Sequence, residues 1–357
     1  MKNILLLSLL LVTGTIHAQK VRKYSNEFMN IGVDAAAMGM ANSVVASTDN
    51  VNATYWNPAG LIHLDTKQLS LMHASYFANI AQYDYVAFAM PIDEKSAVGL
   101  SLIRFGVDDI MNTTELIDQN GNIDYNRISL FSTADYAFTA SYARKLPIEG
   151  LSIGVNAKII RRIIGKFANS WGFGFDIGAQ YQTNSGWKYA LMARDITTTY
   201  NMWSINKKEF EKISNAIPGQ NSELPETTEI TMPKLQFGMA RKFNLTDDFS
   251  VLPAVGINME FAETQALIST KGFSVSPTIG AEFAYTDMVF VRGGIGNFQN
   301  TTQLDGSEKI GFQPNIGVGF QYRGIQIDYA LTDIGDQSVA LYSNVFSLKL
   351  NLDIFSR

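Results

Sequence analysis

The feature that most constrains this chain is a period-two alternation of apolar with small or polar residues. It runs from Thr66 to the C-terminus in segments of about ten residues. In residues 315–332, one face carries Ile, Val, Phe and Tyr while the other carries mainly Gly, Asn and Gln, on both sides of a turn at Arg323-Gly324. Because successive strand side chains point to opposite faces, each segment has one apolar face. This pattern is typical of transmembrane β-barrel strands.

The alternating segments number fourteen, and their approximate bounds are 66–75, 82–92, 95–107, 133–145, 149–163, 168–182, 187–196, 232–243, 248–262, 273–286, 288–297, 311–323, 324–333 and 343–355. Connections after even-numbered segments are short, whereas several after odd-numbered ones are long, notably 108–132, 197–231 and 298–310. Bacterial outer-membrane barrels have an even strand number, short periplasmic turns and longer extracellular loops. We therefore predict an all-β fold, a fourteen-stranded antiparallel transmembrane β-barrel over residues 66–357, with both termini in the periplasm.

Composition favours a barrel embedded in outer-membrane lipid. Charged residues make up 17% of the 357 residues, against about 25% in soluble proteins. A net charge of −5 with scattered lysines gives no basic surface for nucleic acid. Aromatic residues near segment ends indicate interface girdles, among them Tyr76, Tyr83, Tyr142, Tyr181 and Tyr285. The alternative, a soluble β-sandwich or propeller, should carry more exposed charge and lack the loop parity.

The N-terminus has the three parts of a secretory signal peptide. Lys2 precedes an apolar run over residues 4–12, and small residues lead to Ala18. That run is too short to span a bilayer, which needs about 20 helical residues. We predict that residues 1–18 are removed and that the mature chain leaves the cytoplasm. An N-terminal core helix is the alternative, but helical periodicity is missing.

Residues 19–65 contain no alternating segment of transmembrane length, yet they are rich in small and apolar residues. Gly32, Gly39 and Gly60 permit tight turns and close backbone approach. Asn57-Pro58 is a good helix start, because Asn caps free N–H groups and Pro suits the first helical position. We predict that this stretch folds as a plug, or hatch, inside the barrel.

The predicted inward face of the barrel carries few charges. They occur singly among Gly, Ser, Asn and Gln, at Lys158, Asp176, Glu260 and Glu282. Such a lining is sparse for a wide water-filled pore, so we predict a filled lumen. Glycines at 172–174 and 293–296 are interpreted as interior positions that the plug approaches.

Three runs of residues carry a family resemblance. The Ala-Ala-Met-Gly-Met-Ala block at 36–41, the Trp-Asn-Pro-Ala-Gly-Leu run at 56–61 and the aromatic stretch at 76–91 together resemble the PorV/PorQ family of Bacteroidetes outer-membrane proteins, relatives of the FadL fatty-acid transporters. FadL-like proteins are fourteen-stranded barrels with an N-terminal hatch that carries an Asn-Pro-Ala motif. Here the motif is Asn57, Pro58 and Ala59.

The resemblance implies two unlike functions. Some PorV-like proteins serve type IX secretion by binding the translocon or exported cargo, whereas FadL-like channels take up hydrophobic molecules such as fatty acids. The motif residues either only fix the fold of the plug or act directly in gating or ligand binding. The residues singled out for the hatch are Gly32, Gly39, Trp56, Asn57, Pro58, Ala59 and Gly60.

Signals for catalysis or metal binding are weak. After removal of the signal peptide only His63 and His73 remain, the chain has no Cys, and neither a zinc motif nor a nucleophile arrangement occurs. Each His is interpreted as a hydrogen-bonded structural position. We expect no catalytic residues, cofactor or metal centre, and no enzymatic activity.

Two predicted loops allow alternative interpretations. Residues 118–124 place oxygen ligands at alternate positions, as a calcium loop does. The Gly is misplaced, however, and no Glu closes the loop. The two interpretations are a surface calcium site and a polar turn. Residues 206–213 are predicted to form a short helix with Phe210 and Ile213 on one side. That helix either docks a partner or caps the barrel.

Overall fold

The computed structural model describes residues 25–77, 79–117, 121–216, 227–302, 307–332 and 342–355. The predicted signal peptide, residues 1–18, lies outside these ranges. Within them, no helix has the length and apolarity needed to cross a membrane.

One closed antiparallel sheet forms the wall of the molecule. Strand β1 pairs with β2 on one side and with β18 on the other, which closes the sheet on itself. The strands are β1 Gln68–Tyr76, β2 Ala81–Asp93, β3 Ser96–Asn112, β4 Ser129–Lys145, β5 Leu151–Ile164, β6 Ala168–Gln182, β7 Trp187–Arg194, β8 Thr199–Ile205, β9 Thr228–Thr231, β10 Lys234–Arg241, β11 Phe243–Asn244, β12 Phe249–Glu260, β13 Ile268–Ser269, β14 Ser274–Tyr285, β15 Val289–Thr302, β16 Glu308–Tyr322, β17 Ile325–Thr332 and β18 Ser343–Asn351.

These pieces make fourteen wall strands, as the alternation predicted. Strands β7 and β8 both pair with β6, at opposite ends of it, and are therefore two halves of one wall strand. The bend between them falls at residues 195–198, where Asp195 and Thr198 have positive φ angles. Strand β9 pairs with β8 and strand β10 pairs with β7, so β9 and β10 are two halves of the next wall strand. Strands β11 and β13 have two residues each and are not counted as separate wall strands.

Several predicted boundaries are wrong at one end of the barrel. The predicted loop 197–231 contains β8, a helix α3 (Lys207–Ala216) and β9, and the predicted loop 108–132 is shortened because β3 and β4 both extend into it. Conversely, the last strand ends at Asn351 and continues as a 3-10 turn, Leu352–Phe355. Alternation marks only the part of a strand with one apolar face, whereas the backbone ladder continues where both faces meet water.

The two ends of the wall differ. At the short-turn end, the connections are residues 94–95, 146–150, 183–186, 245–248, 286–288 and 323–324. At the opposite, long-loop end, residues 113–128 and 206–227 lie between wall strands. Tyr142, Tyr181 and Tyr285 are exposed near the short-turn end, as expected for a girdle. Tyr76 and Tyr83 are buried on the inward face, so their assignment to a girdle is wrong.

Residues 25–65, called the inner segment below, form four short helical pieces. They are a 3-10 turn at Glu27–Asn30, α1 at Ala35–Gly39, α2 at Ala53–Trp56 and a second 3-10 turn at Pro58–His63. Asp34 and Asn57 cap two of these pieces. Helix α1 begins where the Asp34 carboxylate accepts a hydrogen bond from Ala36 N.

The inner segment occupies the interior of the barrel. Helix α1 packs against β15–β18, while the turn Pro58–His63 packs against β4–β6, far along the closed sheet. The backbone of Met40 lies where a side chain on Gly294 of β15 would be. Val33, Val51 and Leu61 are fully buried between segment and wall. The apolar core of the protein therefore lies between the inner segment and the inward face of the wall.

We expect valine at Gly294 to displace the inner segment, because its side chain would meet the backbone of Met40 and Ala41. Overpacking of this kind costs about 1–3 kcal/mol. The measurements are thermal unfolding in detergent micelles and ion conductance in planar bilayers. Valine at Gly293, which meets nothing within 4 Å, is the matched control. Equal stability and conductance of the two variants would contradict this packing.

Candidate functional site

The Asn57-Pro58 pair starts the second 3-10 turn, as the sequence predicted. Asn57 Oδ1 accepts a hydrogen bond from Ala59 N at 3.1 Å, which caps the turn. Asn57 Nδ2 donates to the carbonyl oxygen of Ala179 on β6 at 3.1 Å. Pro58 has no N–H to satisfy at the first helical position. One side chain therefore both caps the start of the turn and ties the turn to the wall.

The wall opposite this turn carries glycines near the short-turn end. A side chain on Gly154 of β5 would meet the backbone of Pro58 and Ala59, and one on Gly178 of β6 would meet the Asn57 amide. Gly154 thus lets backbone pack directly on backbone, and Gly178 leaves room for the Asn57 amide. The motif thus fills the barrel cross-section at this side.

The remaining hatch residues also make close contacts. Gly32 has a left-handed φ of 107°, and a side chain on Gly39 would lie 2.9 Å from the Cα of Gly317 on β16. Gly60 faces a backbone carbonyl of the inner segment. Trp56 is buried and donates from Nε1 to another carbonyl of that segment at 3.1 Å. These contacts fix the fold of the inner segment; a gating or ligand role for the motif stays a prediction.

Asp34 is an anchoring residue that sequence interpretation missed. Its Oδ1 accepts a hydrogen bond from the Ser347 hydroxyl of β18 at 2.9 Å, and its Oδ2 accepts one from Asn52 Nδ2 at 2.8 Å. The residue is buried and has a φ of 73°. Its position directly before Ala35, the start of α1, is the sequence signal that could have revealed it as a cap.

A buried ionic cluster stabilises the bend between β7 and β8. Lys158 Nζ lies 2.6 Å from Oδ1 of Asp176 and 2.6 Å from Oδ1 of Asp195, and the Lys158 and Asp176 side chains are each 3% exposed. The Thr199 hydroxyl donates to Asp195 at 2.6 Å. Gly174 faces Thr199 and Asp195, Gly172 faces Asn201, and Gly293 meets nothing within 4 Å. At these three positions the predicted approach of the plug is wrong, whereas it is correct at Gly294 and Gly296.

Two further sets of interior charges are paired as well. Arg292 donates to Glu282 Oε2 and to Asp328 Oδ1, both at 2.6 Å. Lys234 donates to Glu260 at 2.6 Å. Arg292 and Asp328 were missed, although both occupy inward positions of alternating strands. The predicted sparse charges therefore form ion pairs instead of lining a polar pore.

A cavity of about 660 Å³ lies between the inner segment and the inward face of the wall. Tyr55, Trp56 and Phe105 form an aromatic side of it. The opposite side is polar and is formed by Gln236, Asn258, Ser276, Thr278, Asn297, Gln313 and Asn315. The lining therefore mixes aromatic, amide, hydroxyl and charged side chains and is not continuously apolar.

Arg194 joins the two sides of this cavity. Its guanidinium donates to Gln236 Oε1 at 2.6 Å and to the Tyr55 carbonyl oxygen at 2.9 Å, and it lies 4.3 Å from the centre of the Tyr55 ring. Burial raises the pKa of the Tyr55 hydroxyl, against a smaller opposite effect of Arg194. The phenol is thus neutral at physiological pH, and Arg194 is held by neutral partners.

The predicted loop features lie elsewhere. The predicted helix is present as α3, where Phe210 is half-buried, while the side chain of Ile213 lies outside the described part. Of the calcium candidate, residues 118–120 are not described, and Asp124 accepts a hydrogen bond from Asn126 N.

His63 lies in the last turn of the inner segment, where burial lowers its pKa. Among the described residues, no group of three or more His, Asp or Glu is placed to hold a metal ion.

Solved structures with a similar fold include transporters of hydrophobic compounds. A Pseudomonas aeruginosa FadL homologue has 13% identity and a TM-score of 0.54, with 89% of this chain and 98% of that chain covered. The P. putida toluene transporter TodX has 12% identity and a TM-score of 0.56. The Ralstonia pickettii toluene transporter TbuX has 12% identity and a TM-score of 0.53. Each of these two comparisons covers 90% of this chain and 98% of the other chain. No curated protein sequence matches the chain.

The closed fourteen-strand wall and these likenesses show a FadL-like β-barrel fold. Within that class, the family "Type IX secretion system protein PorV" matches residues 15–258, and the chain belongs to this family.

We expect Lys158→Met to destabilise the barrel strongly, because it leaves two carboxylates, Asp176 and Asp195, buried without a cation. Removing one partner from a buried ion pair costs about 3–5 kcal/mol. The measurement is denaturant unfolding in detergent micelles. Lys188→Met is the matched control: its pair with Asp49 at 3.0 Å is more exposed and should contribute no more than about 1 kcal/mol. Similar losses in both variants would contradict a structural role of the cluster.

Proposed function

We propose that the chain is a non-enzymatic outer-membrane component of type IX protein secretion, which binds the translocon or exported cargo. The observation that carries the proposal is the filled interior, where Asn57, Pro58 and Ala59 pack directly on Gly154 and Gly178. A barrel filled in this way is not an open water-filled pore, so its exposed surfaces are available for a protein partner. Membership of the PorV family supports the secretion system as the setting.

In this proposal the short turns face the periplasm and the long-loop end faces the outside, as in bacterial outer-membrane barrels. The last strand ends at Asn351, next to the short turn at Gly324, so the C-terminus is periplasmic. The first described residue, Ser25, instead shares a hydrogen bond of 2.9 Å with Thr231 of β9, towards the long-loop end. A periplasmic N-terminus therefore stays a prediction.

The β3–β4 hairpin supplies an apolar surface for a protein partner at the long-loop end. Met111 and Leu130 are paired neighbours, 69% and 59% exposed, and Ile117 bridges to Ile123. Tyr125, which lies between Met111 and Leu130 in the chain, is 71% exposed. Clustered exposed apolar residues commonly mark contact sites. Helix α3, with Phe210 and Ile213, is a second candidate surface.

The test is gentle-detergent affinity purification of the tagged chain from its native outer membrane, with mass spectrometry of co-purifying proteins and extractable lipids. We expect translocon subunits or exported cargo in stoichiometric amount. Leu130→Glu should reduce their recovery about tenfold, because the glutamate charge would be buried against the bound partner in place of an apolar side chain. The control is Ile268→Glu, at an exposed apolar residue elsewhere at the long-loop end. It should leave recovery unchanged. A lone barrel would refute the secretion proposal.

The alternative function is uptake of hydrophobic small molecules such as fatty acids. The aromatic side of the cavity, with Tyr55, Trp56 and Phe105, favours it. The amide side of the same cavity does not, because an apolar ligand would displace water from amide and hydroxyl groups without offering them hydrogen bonds. A lone barrel that carries a bound fatty acid in the same purification would support uptake.

A further inference from the structure

Neutral polar side chains from strands β10, β12, β14 and β16 form one side of the interior cavity. Gln236, Asn258 and Ser276 are paired neighbours across the first three of these strands, so their side chains point to the same side of the wall. Thr278 follows on β14, and Asn315 lies on β16. These five residues, called the polar belt below, all line the cavity. Each of them carries an amide or a hydroxyl group and no charge.

Part of the hydrogen-bonding capacity of the polar belt is unused by the protein. Gln236 Nε2 donates to Asn258 Oδ1 at 2.8 Å, and Asn315 Nδ2 donates to a backbone carbonyl. Among the described residues, Asn258 Nδ2, the Ser276 hydroxyl and Asn315 Oδ1 have no hydrogen-bond partner. Within the same ranges the Thr278 hydroxyl is buried, with 6% of the residue exposed, and also has none. Because a buried hydroxyl without a partner is unfavourable, a ligand that supplies one is favoured.

The side of the cavity across from the polar belt carries aromatic rings. Phe105 of β3 is half-buried, and Phe77, directly after β1, is 50% exposed. Tyr55 and Trp56 also line the cavity, but the Arg194 guanidinium lies 4.3 Å and 6.0 Å from their ring centres. Phe77 and Phe105 are therefore the rings that a ligand can cover.

The charges around the cavity balance one another. Lys234 donates to Glu260 at 2.6 Å, and both residues line the cavity. Arg194 interacts electrostatically with Asp176 and directly precedes Asp195 in the chain. These two carboxylates share the ammonium group of one lysine, so the guanidinium offsets the second negative charge. A neutral ligand therefore fits the cavity better than a carboxylate or a phosphate does.

We propose that this cavity binds a neutral saccharide. A sugar ring carries hydroxyl groups around its edge, each both a donor and an acceptor, and C–H groups on its two faces. The amides and hydroxyls of the polar belt complement the edge. Phe77 and Phe105 complement a face, because the face of an aromatic ring is electron-rich and attracts C–H groups. The volume of about 660 Å³ lies within the range of small-molecule pockets, about 300–1,000 Å³.

The ligand enters from the long-loop end, where the exposed lining residues Phe77 and Asn297 lie. An extended peptide fits less well, because peptides commonly add to a free strand edge. Strands β10, β12, β14, β15 and β16 are each paired on both sides. The inference depends only on the cavity and is independent of the secretion proposal.

The test is isothermal titration calorimetry of the full chain in lauryldimethylamine oxide, a detergent without a sugar head. Maltotriose, cellotriose, laminaritriose and xylotriose are titrated separately. We expect at least one of them to bind with a Kd below about 1 mM. Saturation-transfer NMR on that sugar should show the largest transfer to its ring C–H protons, since these lie on the aromatic side. No binding of any of the four sugars up to about 10 mM would overturn the proposal.

Thr278→Val and Ser276→Ala should each weaken binding of that sugar about fivefold, because each removes one hydrogen bond to the ligand. Thr139→Val is the matched control: Thr139 of β4 is 9% exposed, another buried threonine, and does not line the cavity. Unchanged affinity in the two polar-belt variants, or an equal loss in the control, would also overturn the proposal. Recovery of translocon subunits or cargo is a separate measurement, so the two proposals can fail independently.

Discussion

Backbone packing between the inner segment and the glycine-bearing strands is the contact on which the rest of this structure depends. A wall of fourteen strands encloses more space than its own side chains fill. Here Met40 rests on Gly294, Pro58 on Gly154 and Gly39 close to Gly317. Because such contacts occur on widely separated strands, the segment is fixed from several sides. The interior is thereby a packed core in which polar groups must find protein partners.

The buried charges follow from that packing. Lys158 and Arg292 each contact two carboxylates at 2.6 Å, as expected where little water can solvate an ion. The remaining space has amide and aromatic sides bridged by Arg194. The chain thus shares its fold with transporters of hydrophobic compounds and differs in the chemistry of its interior. Fold alone does not define function, which depends on such local differences.

The fold was largely predictable, because each wall strand carries its own two-residue alternation and needs no partner to be recognised. The role of Asn57 as a cap was also local and is confirmed. The bend at Asp195 was not predictable, since it depends on Lys158, which is 37 positions away in the chain. The same holds for His73, Asp84 and Arg104, which become neighbours only through strand register. Pairwise contacts across the sheet are what a single sequence does not display.

The tie between Asp34 and Ser347 bears on the order in which the molecule assembles. Strands β1 and β18 are the first and last of the wall, so their seam forms only after the whole chain has arrived. The inner segment touches both: Asp34 accepts a hydrogen bond from Ser347 of β18 at 2.9 Å, and Val51 N donates to Gln68 of β1 at 3.0 Å. These bonds form only when both edges of the seam are present, so the N-terminal residues reach all of their partners only in the closed cylinder.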